Sequence, residues 1–296
     1  MFIPQEGWTF VAADFCQVEL RLLAHFSSDP ELLRIFSHPQ SDVFTMLASQ
    51  WSVTHIQYTT THTRTVIFFQ RKGLSHTEVT SEDREHAKRI VYSVVYGAGR
   101  ERLSGILGVS AEQASQFQDS FLQAYKDVQA FVQKTIQQCR QQGYVLSLMG
   151  RRRTLPNINV SDWAVRMQAE RQAVNFVVQG SAADLCKTAM IRIFNLVSSS
   201  SRSARLVAQL HDELLYEVED GEVQVFAGRG GPAEFTCTYY IYFWCAALVK
   251  STMESLQHID HFGVHLKVPL KVAVSIGKSW GSMSELNIPA TSPSAI

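Results

Sequence analysis

The sequence predicts an α+β fold, in which a small antiparallel sheet presents acidic residues and long helices flank it. Three observations lead there. The stretch Leu206-Val207-Ala208-Gln209-Leu210-His211-Asp212-Glu213-Leu214-Leu215-Tyr216-Glu217-Val218 runs apolar, turns on a polar triplet, and resumes apolar, as two strands joined by a tight turn do. Trp8 to Phe15 is a mostly apolar strand that passes straight into a helical pattern. Residues 81–96, 110–141 and 162–196 carry helical periodicity over long spans.

Taken in order, a strand over 8–14 is followed by a helix near 16–26, where Val18, Leu22 and Phe26 repeat at four-residue spacing. Helices near 30–37 and 41–50 come next. Thr80-Ser81-Glu82-Asp83 resembles a capping box and starts a helix over 81–96 that stops at Gly97-Ala98-Gly99. A single long helix over 110–141 is expected, with Phe117, Phe121, Tyr125, Val128 and Val132 as a core-facing stripe. Another covers 162–196. Ser198 to Ser203 is a loop, 206–210 and 214–218 are the hairpin strands, 246–257 is a helix, and Leu266 to Ser275 adds a further strand. Residues 288–296 read as a disordered tail.

The chemistry lies in two acidic places and one cationic stripe. Asp212 and Glu213 stand beside His211 at the hairpin tip, and Asp14 stands where a strand gives way to a helix. Carboxylates fixed on rigid backbone suit hard divalent cations such as Mg2+. An acidic turn and an ordinary Asp N-cap are the plainer readings of the same residues. Together the two sites could hold a pair of metal ions about 4 Å apart, the equipment of in-line phosphoryl transfer. Arg84, Lys88, Tyr92 and Tyr96 recur every four residues along one helix face, two cations before two rings. A nucleoside triphosphate laid along that face would meet cations at its phosphates and a ring at its base. An amphipathic helix with solvated basic residues is the alternative.

These motifs, in this order, resemble the polymerase domain of family A DNA polymerases. The resemblance rests on Val11-Ala12-Ala13-Asp14-Phe15-Cys16-Gln17-Val18-Glu19-Leu20-Arg21, on Arg84-x3-Lys88-x3-Tyr92-x3-Tyr96-Gly97, on His211-Asp212-Glu213, and on the block from Glu170 to Asp184. It implies a right-hand polymerase palm built on an antiparallel sheet plus helical fingers, with the thumb and N-terminal part absent and expected ahead of residue 1. It divides the chain into a discontinuous palm, 1–29 and 158–287, and fingers over 30–157. Residues 52–75 and 221–244 stand out as atypical insertions, either lineage-specific or translated intron sequence.

By resemblance, Asp14 and Asp212 would hold two Mg2+ ions with the Phe15 backbone carbonyl, and Glu213 would be an accessory acid. Lys88 would protonate the leaving pyrophosphate, Arg84 would bind the triphosphate, and Gln17, Phe15 and Tyr92 would line the nucleotide site. Glu19 would be the steric gate against a ribose 2′-hydroxyl. Tyr96, Arg171, Asn175, Gln179 and His211 would contact DNA. The implied reaction is template-directed DNA synthesis, two-metal nucleotidyl transfer from a dNTP to a primer 3′-OH, in DNA repair or translesion synthesis. A DNA-binding fragment with weak or no activity is the competing expectation. Two departures stand out: Phe15-Cys16 replaces the family's usual Tyr-Ser, and Phe44 stands where bacterial relatives place a phosphate-binding His.

Composition bounds the rest. At 296 residues and 46% hydrophobic the chain can bury a real core. Its 27 basic and 27 acidic residues cancel, so any attraction for DNA must be local. Five scattered cysteines lack zinc-ligand spacing. No signal peptide is legible, and the apolar run Tyr239 to Val249 is too short to span a membrane. The expected partners are primer-template DNA and dNTPs, with no membrane; a monomer and, from the family, a nuclear location are expected.

Overall fold

A computed structural model describes residues 2–37, 44–46, 52–56, 66–70, 79–95, 100–108, 110–200, 203–220 and 237–288. Along the chain lie β1 (Trp8–Phe15), α1 (Val18–Ser27), α2 (Pro30–Ser37), β2 (Ser52–Ile56), β3 (Val66–Gln70), α3 (Ser81–Val95), α4 (Arg100–Leu107), α5 (Ala111–Ala124) and α6 (Lys126–Gln142). Then come β4 (Tyr144–Leu146), β5 (Arg152–Thr154), α7 (Trp163–Asn175), a π turn (Phe176–Gly180), α8 (Ser181–Ser199), β6 (Ala204–Leu210) and β7 (Glu213–Glu219). The chain continues with α9 (Cys237–Ser255), β8 (His258–Ile259), β9 (Val264–His265), β10 (Val272–Gly277) and β11 (Ser284–Glu285).

Packing divides the chain into two units, residues 1–22, 147–151 and 179–296 in the first and 23–146 with 152–178 in the second. The palm and fingers bounds expected from sequence were 29 and 157–158. The first unit is built on an antiparallel sheet ordered β11-β10-β1-β7-β6. β1 is central because it is apolar on both faces: Val11, Ala13 and Phe15 are fully buried, and Phe10 and Ala12 nearly so. Along one face, Phe10, Ala12 and Leu215 form a row covered by Trp280 and Met283. Helix α9 packs against β1, β10 and α8.

In the second unit, Cys139 of α6, Ala169 and Ala173 of α7, and Val145, Leu155 and Ile158 make a core joined by Phe26 and Phe131, whose rings stack at 5.7 Å. Asp162 caps α7, its carboxylate accepting from Val165 N at 3.0 Å. Gly143 ends α6 in the left-handed conformation, φ 76°, and donates to Cys139 O.

Four expectations are corrected. The single helix over 110–141 is two, broken at Tyr125, whose side chain is fully buried and whose backbone leaves the helical region at φ −116°, ψ 64°. The helix over 162–196 is interrupted by the π turn at 176–180. The last strand begins at Val272 rather than Leu266: Pro269 cannot join a ladder, and the Pro269 and Lys271 carbonyls accept from Arg21 and Cys16 instead. The helix expected over 246–257 begins at Cys237. Within the first atypical stretch β2 and β3 pair antiparallel. Residues 57–65, 71–78, 221–236 and the tail 289–296 lie outside the described residues, as do residues 41–43 and 47–50 of the expected helix 41–50.

Candidate active site

The first unit brings the acids together. In the register of β1 on β7, Asp14 stands directly opposite Glu213, and Phe15 N donates to Asp212 O at 3.2 Å. Both acid-bearing turns are held by non-glycine residues in the left-handed region, Gln17 at φ 55° and His211 at φ 55°. Such a conformation is uncommon outside glycine, and neighbouring contacts must hold it. At the first turn Arg21 does so: buried, it donates from Nε to Cys16 O at 2.9 Å and from Nη1 to Pro269 O at 2.7 Å. At the second, His211 O accepts from Gln209 Nε2 at 3.1 Å and lies 3.9 Å from the Cys186 thiol.

Asp14 and Asp212, nearly two hundred residues apart, come close enough for the Asp212 charge to act on the Asp14 carboxyl. Burial, followed by the charges of Asp212 and Glu213, pushes the Asp14 carboxyl up to about 6. A carboxyl whose ionisation is opposed by burial and by neighbouring negative charge lies where a hard cation would offset that charge. Among the described residues no three His, Cys, Asp or Glu side chains group as a metal site. The side-chain donor set is therefore the Asp14–Asp212 pair. That set fits Mg2+, which takes one or two carboxylates and completes its shell with water and phosphate oxygens.

Three further groups surround the pair. Burial raises the Glu19 carboxyl above its ordinary range, and a hydrogen bond with the Gln179 side chain opposes that shift. Burial chiefly, and the Asp212 and Asp14 charges next, push the Cys186 thiol up to about 12, so this sulfur stays protonated. Glu213 Oε1 accepts from Trp280 Nε1 at 3.0 Å. Trp280 is set by its backbone N–H, which donates to Phe2 O at 3.1 Å, by an edge contact with the Phe2 ring, and by the apolar row of β1 and β7. The loop carrying it closes tightly on Gly277, where a Cβ would lie 2.7 Å from Ser282 O. Sequence reasoning missed Trp280; its one signal was a large aromatic three residues past the end of a sheet strand.

Gln179 belongs to the π turn. Arg151 donates to Gly180 O at 2.8 Å and to Asp184 Oδ1 at 2.9 Å, and Leu148 N donates to Ser181 Oγ at 2.8 Å. These contacts anchor the end of the widened turn that presents Gln179, a usual setting for π turns at functional positions.

In the second unit, Thr80 O accepts from Arg84 N at the start of α3. Arg84 and Tyr92, two turns apart, both meet the buried Phe44 ring, the guanidinium at 5.4 Å and the tyrosine ring at 6.0 Å. Arg84 and Tyr92 therefore share one face of α3, organised on the Phe44 ring. Glu85 lies 3.3 Å from Arg84 Nη1 and 3.9 Å from Lys88 Nζ. Arg171 is exposed and Asn175 half-buried, its Oδ1 lacking a hydrogen-bond partner among the described residues. Tyr96 lies outside the described residues.

The sequence pattern of DNA polymerase family A matches residues 1–68 and 69–282. The chain belongs to DNA polymerase family A. Among curated family A relatives it is similar to DNA polymerase theta of Drosophila melanogaster, 33% identical over 295 residues, covering 97% of this chain and 12% of that protein. It is also similar to the thermostable DNA polymerase I of Thermus thermophilus, 35% identical over 284 residues, covering 96% of this chain and 28% of that protein. Among solved structures, the POL domain of Pol1 from M. smegmatis, in complex with DNA primer-template and dNTP, superposes with a TM-score of 0.75 at 30% identity, covering 94% of this chain and 41% of that one. The chain thus spans about an eighth to about a quarter of the length of these two curated relatives. The α+β architecture is that of a polymerase domain. Among the described residues no helix is long and apolar enough to cross a membrane.

Proposed function

We propose that this chain carries the nucleotidyl-transfer site of a DNA-directed DNA polymerase, adding dNTPs to a primer 3′-OH under a template. The observation that carries the reading is the meeting of Asp14 and Asp212, brought together at a strand end and a hairpin tip by the register of β1 on β7, in a family A chain. In the reaction the primer 3′-oxygen forms a bond to the α-phosphorus as the bond to pyrophosphate breaks, and the hydroxyl proton is lost. Bound divalent ions, Mg2+ in this reading, would supply Lewis-acid stabilisation of the attacking and leaving oxygens. Asp14 and Asp212 would hold them, with the Phe15 carbonyl as the backbone donor. Arg84 neutralises the triphosphate, and Lys88 gives a proton to the departing pyrophosphate. Glu19, steadied by Gln179, fills the space of a 2′-hydroxyl, with Gln17 and Tyr92 lining the nucleotide. Arg171, Asn175, Gln179, Tyr96 and His211 contact the primer-template.

The first unit takes the part of the palm and the second that of the fingers. Within the family, Cys186, the run Val91 to Gly99 and the turn Gly150-Arg151-Arg152-Arg153 favour a vertebrate DNA polymerase nu, with theta second. Repair or translesion synthesis in the nucleus, by a monomer, follows from that assignment. A second reading for these 296 residues taken by themselves is a DNA-binding fragment with weak or no synthesis. Primer extension with Mg2+ and dNTPs, beside a gel-shift on the same primer-template, separates them. Extension stopped by EDTA supports the first; DNA binding without extension supports the second.

A further inference from the structure

We propose that the hairpin formed by β8 and β9 is a second metal site, independent of the carboxylate pair, that takes a zinc-like transition-metal ion on the imidazoles of His258 and His265. The register pairs His258 directly with His265, so both rings leave the same face of the ribbon. The intervening pair, Ile259 and Val264, is buried at 0% and 4% exposure and fixes the ribbon to the body, leaving the two rings exposed. Leu266 N donating to Gln257 O at 2.9 Å closes the base, and Gly263 at φ 63° closes the tip.

The spacing of the rings is the deciding observation. His258 Nδ1 and His265 Nδ1 lie 3.4 Å apart. That is long for a nitrogen–nitrogen hydrogen bond. It matches the edge of about 3.3–3.4 Å between two nitrogens bound at roughly 2.0–2.1 Å to one tetrahedral ion. On the far side of His265, Asp260 Oδ1 stands 3.9 Å from Nε2, beyond hydrogen-bond reach but near enough to add negative charge beside the site. His261 is outside the set, its ring packed on Phe262 at 4.4 Å between centroids. Among the described residues no third side chain joins the pair, so water completes the shell and the ion exchanges freely. Imidazole donors select zinc, copper and nickel, whereas the carboxylate pair suits magnesium. The two sites therefore differ in the ion they accept.

Calorimetric titration of the full chain with Zn2+, in millimolar Mg2+ to occupy the carboxylate pair, tests the site. The expected result is binding that weakens about tenfold or more in His258→Ala and in His265→Gln, weakens less in Asp260→Asn, and is unchanged in His261→Ala. Co2+ should give the visible absorption of a tetrahedral nitrogen site in the wild type and lose it in His258→Ala. All four positions are exposed, and thermal melts confirm that each variant is folded. Zn2+ binding unaffected by His258→Ala and His265→Gln, or abolished by Asp14→Asn, would overturn the proposal.

Discussion

Replacing Asp14 by asparagine should stabilise the metal-free protein while removing its use. The carboxyl is raised from 3.8 to about 6 by burial and by the charges of Asp212 and Glu213, so the folded state disfavours the ionised form. The sign follows from proton uptake. Between about pH 4 and 6 the folded protein binds the proton that the unfolded chain has released. The cost is absent below about pH 4 and complete above about pH 6. A shift of about two units corresponds to an upper limit of about 3 kcal/mol. The site is partly open to water, and screening reduces this to about 1–1.5 kcal/mol. With an unfolding entropy of about 0.6 kcal/mol/K for a chain of this length, the gain is about 2 °C in Tm. Asparagine is isosteric and its amide can donate to Asp212, so no unpaired group is left behind. Thermal melts in EDTA should show Asp14→Asn about 2 °C above wild type at pH 8 and about half that at pH 5. Adding Mg2+ should raise the wild-type Tm and leave the variant's unchanged. A variant less stable than wild type at pH 8 in EDTA, or a gain equal at both pH values, would refute the reasoning.

Trp280→Phe keeps the packing on Phe10, Ala12 and Leu215 but removes the N–H that holds Glu213; single-turnover incorporation should slow several-fold with DNA affinity unchanged, and Trp280→Ala should also lower stability. Tyr92→Phe should sharpen discrimination against sugars lacking a 3′-hydroxyl by about tenfold or more, read from competing dideoxy- and deoxynucleotide incorporation. Arg151→Ala strands the Asp184 carboxylate, 7% exposed, and frees the Gly180 carbonyl; urea unfolding should show a loss of about 2–3 kcal/mol, whereas the double change with Asp184→Asn should recover part of it.

The parts of the fold legible in the sequence are those set by local pattern. The hairpin was visible because its strands are apolar on both sides of the His211-Asp212-Glu213 triplet, and α3 because Thr80 marks its start. What could not be read depends on distant partners. Nothing at Tyr125 breaks a helical pattern: it continues the apolar stripe of its neighbours and leaves the helix to bury its ring. The π turn is anchored by Arg151 and Leu148, some thirty residues earlier, and Trp280 reaches Glu213 across 67 residues. Pro269 did carry a local signal against a strand beginning at Leu266. The meeting of Asp14 with Asp212 had no periodicity to announce it; it was expected from the family resemblance, and the sheet register of β1 on β7 brings it about.

The most direct test of the central claim is a double-mutant cycle on Asp14 and Asp212, read by single-nucleotide incorporation under single-turnover conditions with saturating DNA, dNTP and Mg2+. If the two carboxylates act as one ion-holding unit, Asp14→Ala and Asp212→Ala should each cost about a thousandfold, roughly 4 kcal/mol of transition-state stabilisation. The double variant should be little worse than either alone. Incorporation that survives Asp212→Ala unchanged, or losses that multiply across the pair, would contradict the account.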